Sequence, residues 1–348
     1  MSGKIKVLVA DDSGLMRLII SDIINSENDM EVIDTAEDGK QAVEKAVRLN
    51  PDVVLLDMTM GQYDGIYAVK NILKRVQIPI VILSAMGNSN IEPILDALKL
   101  GAFDYLNKPE ANKAKVRDIA NEIVAKVRLA AYSNKKYIEV NKSEIKQNQN
   151  NHSFNDCLNY DVVVIGSSTG GPTAIERVIT KLPANLPVPV LIAQHMPENF
   201  VPSFVNRLNT TTPLEVVLGR AGDELKKGFI YVAPGNRNMI IEINEHNKPV
   251  IGFTPTRYKE FNNPSVNALM LSVVSIYGKR TVGVILTGMG KDGANGMEEI
   301  KKRGGYTIAQ DKETSAVYGM PKEVADRNCV NSVVSIYEMG GFIVSCLS

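Results

Sequence analysis

Short β-branched runs alternate with amphipathic stretches along residues 4–125. Residues 5–10, 31–36, 53–56, 80–84 and 105–107 carry the strand pattern, and between them apolar positions recur at helical spacing. In the first such stretch Leu15, Ile19, Ile23 and Ile24 share a face behind Ser13, whose hydroxyl can cap a helix once the strand has ended at Asp11-Asp12. Repeated β-α units of this kind predict a parallel sheet wrapped on both faces by helices.

The pattern then breaks. A flexible linker is expected over 126–159; from about residue 133 the chain is polar, Asn-rich and almost without periodic apolar positions, as in Lys146-Gln147-Asn148-Gln149-Asn150-Asn151. Regular patterning resumes at Tyr160 and runs to the C-terminus. Strands are expected at 161–165, 188–193, 230–233, 281–286 and 307–310, and 238–244 with 249–253 reads as a hairpin turning at Glu245-His246-Asn247-Lys248. The fold class is therefore α/β: an N-terminal (βα)5 domain with a parallel sheet over 1–125, and a doubly wound α/β domain over 160–348.

A length of 348 residues suits two domains at about 150 residues each. The 39 Lys and Arg balance 39 Asp and Glu, so no basic excess draws the molecule to nucleic acid. No apolar run approaches the roughly 18 residues needed to cross a bilayer, and the N-terminus reads straight into a strand. A cytoplasmic protein, not inserted in a membrane, is expected. Cys157, Cys329 and Cys346 lack metal or disulfide spacing and read as reduced thiols. The histidines are His152 in the linker, His195 after a strand and His246 in the hairpin turn.

In a parallel sheet, sites form at the carboxyl ends of the strands. Asp11 and Asp12 end the first strand, Asp57 the third and Ser84 the fourth, while Lys108 follows the fifth. Each acid by itself reads more readily as a helix cap or turn residue. Converging carboxylates, however, repel unless they bind a hard cation or one has a raised pKa, and magnesium suits an all-oxygen site beside a lysine and a hydroxyl.

At Asp11-Asp12, Asp57 with Asp64-Gly65, Ser84-Ala85 and Lys108-Pro109, the first 125 residues resemble the response-regulator receiver domain. The resemblance implies that Asp57 accepts a phosphoryl group from a histidine kinase. It further implies that Asp12 and Asp57 bind Mg2+ with the carbonyl of Thr59, Asp11 assisting through water, and that Ser84, Tyr105 and Lys108 form the switch. Gly61 departs from the proline usual in receivers, which bears on the rigidity of that loop.

The second domain opens with a strand running into Gly166-Ser167-Ser168-Thr169-Gly170-Gly171-Pro172. Such a turn exposes a hydroxyl at a helix N-terminus, where amides favour negative charge. A phosphate-cradling loop is the competing reading. Yet the Gly-Lys-Ser/Thr of a P-loop is absent, and the next strand ends in Gln194-His195-Met196-Pro197 instead of the acid of a dinucleotide fold. His195 and Asp292 each have bland readings, as a buried histidine and a turn residue. Together, a serine, an imidazole and the carboxylate of Gly288-Met289-Gly290-Lys291-Asp292-Gly293 follow three core strands, as a hydrolytic triad requires.

These segments, with Tyr231-Val232-Ala233-Pro234-Gly235, Ile308-Ala309-Gln310 and Gly319-Met320-Pro321, resemble the chemotaxis protein-glutamate methylesterase family. The resemblance selects Ser168 over Ser167 as nucleophile, with His195 as base and then acid, Asp292 orienting the imidazole, and the Met289 amide as a candidate oxyanion donor. The substrates implied are methylated glutamates of chemoreceptor cytoplasmic helices, with glutamine deamidation as a second activity. No cofactor is implied for hydrolysis. The receiver is expected to sit over the triad until phosphorylated. The family's Arg-Pro-Ser-Val-Asp is here Asn263-Pro264-Ser265-Val266-Asn267, which suggests altered substrate recognition at Asn263 and Asn267. Two other readings remain at this stage. One is a phosphorylation-controlled binding protein of a non-motility receptor pathway, with a degenerate esterase domain. The other, a DNA-binding regulator, is disfavoured by the balanced charge.

Overall fold

The computed structural model describes residues 3–84, 91–108, 113–133, 160–258 and 263–348. The chain divides into two units, Met1–Glu144 and Ile145–Ser348. Residues 134–159 of the expected linker, with His152 and Cys157, lie outside the described residues, as do Ala85 and Pro109.

The first unit is a parallel five-stranded sheet ordered β2-β1-β3-β4-β5, built from β1 (Ile5–Ala10), β2 (Met30–Ala36), β3 (Val53–Asp57), β4 (Ile80–Ser84) and β5 (Asp104–Asn107). β3 and β4 are buried at every position, which explains their unbroken apolar character. Helices α1 (Gly14–Asn25), α2 (Gly39–Leu49) and α3 (Gly65–Arg75) start at the side-chain caps Ser13, Asp38 and Asp64. α4 (Glu92–Leu100) and α5 (Lys113–Ala131) complete the unit.

The expected linker start at 126 falls inside α5. The helix persists because Ile123, Val127 and Ala130 continue its buried stripe and Arg128 pairs with Asp29 and Glu27. The polar composition beyond it masked this last apolar turn in the sequence.

The second unit holds a seven-stranded parallel sheet ordered β14-β13-β12-β6-β7-β9-β8. Its strands are β6 (Val162–Ser167), β7 (Val190–Gln194), β8 (Glu215–Leu218), β9 (Phe229–Val232), β12 (Thr281–Ile285), β13 (Tyr306–Gln310) and β14 (Ser332–Val334). The edge strands β8 and β14 escaped the sequence reading because they are short and half-exposed. The hairpin β10 (Asn238–Ile243) and β11 (Pro249–Thr254) forms as expected, as a separate antiparallel pair. Helices α6 (Gly171–Ile179), α7 (Val201–Thr211), α8 (Val266–Tyr277), α9 (Ala294–Lys302), α10 (Met320–Asp326) and α11 (Ile336–Leu347) surround the sheet and hairpin. Among the described residues, no helix is long and apolar enough to cross a membrane.

β6 comes first in sequence yet lies inside the sheet, between β12 and β7. The strand order reverses there, so a crevice opens at the carboxyl ends of these strands. Met239, Ile241 and Ile251 of the hairpin share a core with Val266, Leu269 and Val273 of α8, which fixes the helix over that crevice.

Gly61 has φ of 61°, in the left-handed region, whereas proline holds φ near −65°. The substitution Gly61→Pro, which restores the residue usual in receivers, should therefore destabilise this unit by more than about 1 kcal/mol. The measurement is its denaturant midpoint within the full chain.

Candidate functional site

The first cluster forms where β1, β3 and β5 end. Lys108 Nζ lies 2.8 Å from both Asp11 Oδ2 and Asp57 Oδ2. Asp11 and Asp57 are buried while Asp12 is exposed, and one oxygen from each of the three lies within 4.8 Å of the others. Burial pushes the Asp57 carboxyl above its ordinary value, more than the Lys108 ammonium and the Thr59 amide draw it down, and the neighbouring Asp11 charge adds to the rise. Burial also acts against the charged form of Lys108, but its two carboxylate partners outweigh that and raise its pKa. Such hard, closely spaced oxygens fit a magnesium ion.

The Ser84 hydroxyl is buried at the neighbouring strand end with no hydrogen-bond partner among the described residues. Tyr105 is buried too, with Lys126 Nζ 5.2 Å from its ring centroid and 2.6 Å from its carbonyl oxygen. Its phenol is held well above the ordinary value by burial and then by the charges of Asp104 and Glu122. Asp64 stands apart from the cluster in role: its carboxylate accepts the Tyr67 amide at 2.8 Å as a helix cap.

The second cluster forms in the crevice beyond β6, β7 and β12. His195 Nε2 lies 2.9 Å from Asp292 Oδ2. The Asp292 side chain is fully buried, and it also accepts from Ser265 Oγ at 3.1 Å and from the amides of Val266, Asn267 and Gly293 at 2.7, 2.9 and 2.9 Å. Burial alone would raise the Asp292 pKa; the imidazole and the amides of Asn267 and Val266 overcome it and lower the value. A carboxylate that only accepts leaves the proton on Nε2, so Nδ1 is the ring nitrogen available as a base.

The two serines that sequence left ambiguous occupy different surroundings. Ser167 is buried and donates to Gln194 Oε1 at 2.6 Å, so its hydroxyl is engaged in the interior. Ser168 is half-buried at the mouth of the crevice. Its amide donates to Thr287 O at 3.1 Å, and the following Gly288 passes so close that a Cβ there would lie 2.8 Å from Ser168 Cβ. The loop that carries Met289 and Asp292 thus lies directly against the serine. Met289 itself is 46% exposed.

Gln194 was not singled out in the sequence. Its Nε2 donates to Ser168 O at 3.0 Å and His195 O at 2.8 Å, tying the serine and imidazole segments together. Gly171 makes room for it, since a Cβ at 171 would lie 2.0 Å from Gln194 Oε1. Pro172 falls in the first turn of α6, as its ring favours. The available signal was an amide side chain at the end of an otherwise apolar strand.

Asn267 is fully buried, its amide donates to Asp292 and its Oδ1 accepts the Gly296 amide at 3.0 Å, so it supports the carboxylate from behind. Asn263, in contrast, lines an open cavity. His246 is exposed in the hairpin turn.

Fold and clusters together define a class: a receiver joined in one chain to an α/β domain of serine-hydrolase type. The CheB methylesterase family model matches residues 163–343, and the response regulator receiver domain matches residues 7–120. The chain is 37% identical to a protein-glutamate methylesterase/protein-glutamine glutaminase of Pyrococcus abyssi, with 98% of this chain and 93% of that one covered. It is 39% identical to a protein of the same name from Archaeoglobus fulgidus, over 98% of each chain. The crystal structure of the Thermotoga maritima CheB methylesterase catalytic domain matches with a TM-score of 0.52 at 37% identity, covering 54% of this chain and 99% of that one. The chain belongs to the CheB methylesterase family.

Asp292→Asn replaces an acceptor oxygen by an amide NH2, a donor that faces other donors. The expected loss is about 1–3 kcal/mol of stability, read from chemical denaturation. Because the folded-state pKa lies below the ordinary 3.8, Asp292 stabilises the fold above that value and the stabilisation disappears as pH falls through the folded pKa. The difference between wild type and variant should therefore shrink in strong acid.

Proposed function

We propose that this chain hydrolyses methyl esters of glutamate side chains on chemoreceptors, and deamidates receptor glutamines, under control of phosphorylation at Asp57. The observation that carries the reading is the 2.9 Å contact between His195 Nε2 and Asp292 Oδ2 beside Ser168, in a chain matched nearly end to end by named methylesterases.

His195 Nδ1 takes the Ser168 hydroxyl proton as Oγ bonds to the ester carbon, and the tetrahedral oxyanion is met by amides that include that of Met289. Collapse breaks the bond to the methoxy oxygen, which receives the proton from His195 and leaves as methanol. Water then gives a proton to the same nitrogen and attacks the acyl-serine. Breaking the bond to Ser168 Oγ frees the glutamic acid side chain as His195 returns the proton to the serine, and the acid then loses its proton to solvent to give the carboxylate. A glutamine side chain follows the same route, with ammonia as the leaving group. The buried, hydrogen-bonded Asp292 orients the ring and stabilises the imidazolium.

In the receiver, Asp57 is the phosphoacceptor for a histidine kinase. Asp12, Asp57 and the Thr59 carbonyl, with Asp11 through water, would hold Mg2+, which supplies positive charge to the phosphoryl oxygens. Lys108 retains its ammonium to pair with the phosphoryl group, and Ser84 and Tyr105 respond to it as the switch. The intact Ser168, His195 and Asp292 weigh against a purely binding role.

Methanol release from methylated receptor membranes tests both halves. Ser168→Ala should lower release by about 10⁴-fold or more, and Asp57→Asn should abolish the increase that a small phosphodonor with magnesium produces. Wild-type protein that releases no methanol from the matching receptor, phosphodonor present, refutes the hydrolase reading.

A further inference from the structure

Beside the second cluster lies a cavity of about 410 Å³, lined by the loop after β9, the end of β11 and Asn263. We infer that this cavity binds an acidic stretch of the substrate protein, carboxylates flanking the glutamate ester, through Arg237 and Arg257; the inference rests on the hydrolase reading above and names the substrate feature that the site selects.

Among the described residues, the lining contains two arginines with asparagines and threonines, and no carboxylate. Several of the chain's other arginines are paired in place: Arg128 by Asp29, Arg207 by Glu176, Arg280 by Asp161 and Arg327 by Glu323. Arg237 and Arg257 are exposed and meet no acidic partner among the described residues. The Arg237 guanidinium lies 5.7 Å from the Phe253 ring centroid, a contact that holds it at the cavity wall. In a chain with equal numbers of cationic and anionic residues, this is a local excess of positive charge.

Three connections bring the cavity to the reacting groups. Asn238, in its wall, accepts the Ser265 amide at 2.7 Å, and Ser265 Oγ donates to Asp292. Gly235, just before Asn236 and Arg237, packs so tightly on the segment after His195 that a Cβ there would lie 2.3 Å from Met196 O. Tyr258, adjoining Arg257, has its phenol pKa raised by burial and by the charge of Asp292. These contacts place the cavity next to Asp292 and to the segment that follows His195.

Arginine forks donate to carboxylates in bidentate fashion, and exposed arginines also draw an anionic partner by long-range attraction that salt screens. Both effects act on substrate capture. A small neutral ester makes neither contact, so charge recognition here separates a receptor segment with flanking carboxylates from an isolated ester.

The test uses the full-length protein, activated with a phosphodonor and magnesium, as wild type and as the double variant Arg237→Gln/Arg257→Gln. Two substrates are compared: methylated receptor membranes, and the γ-methyl ester of glutamate with both backbone ends blocked. The ratio of receptor kcat/KM to small-ester kcat/KM should fall about tenfold in the variant, through a rise in receptor KM. Wild-type receptor KM should rise with salt, and the folded variant should show a flatter dependence. Equal losses on both substrates, or an unchanged ratio in a folded variant, overturn the proposal. Should the variant not fold, the wild type decides: a receptor KM indifferent to salt overturns it. Wild type inactive on both substrates refutes the hydrolase reading itself, a distinct outcome.

Discussion

A buried carboxylate organises the second domain. Taking an ion of that size out of water costs several kcal/mol unless its lone pairs are met, and Asp292 is met by an imidazole, a hydroxyl and three backbone amides. Two of those amides open α8, whose dipole adds to the attraction. The helix in turn is fixed by the hairpin core of Met239, Ile241 and Ile251. Orientation of the imidazole is thus inherited from hydrophobic packing well behind it.

The receiver answers the same geometric problem differently. Its carboxylates also stand at the ends of parallel strands, yet Asp57 is held by one ammonium and one amide, and Asp12 faces solvent. Burial keeps the Asp57 carboxyl above its usual pKa. Asp292 is saturated with donors and suited to stay as it is; Asp57 is under-coordinated and suited to take on a new group. Carboxylates in two α/β sheets acquire opposite uses through how completely they are satisfied.

Much of this was legible in sequence because parallel strands are buried on both faces and read as apolar runs ending in polar residues. Asp11, Asp57, Lys108, Ser168, His195 and Asp292 all follow such runs. The support around them was not legible. Gln194 and Ser265 act through contacts with segments 26 and 27 residues away, and no local pattern reports such distant pairing. The burial of Asn267 was not legible for a related reason: loss of a charge suggested a surface change, whereas the position lies buried behind Asp292. Edge strands β8 and β14 are too short to carry a period, and the last turn of α5 was obscured by the polar sequence that follows.

The reversal of strand order at β6 also has a bearing on folding. β6 pairs with β7 across a short separation, for Val163 aligns with Val190, but its other neighbour is β12, where Val163 aligns with Val282. Closing the second pairing means ordering a much longer loop, which is slow relative to the first. The serine and histidine segments can therefore meet early, while the carboxylate arrives only after the far half of the chain has been threaded into place. A chain emerging from the ribosome would hold Ser168 beside an unoriented imidazole, and the cluster would be complete only once β12 has paired with β6.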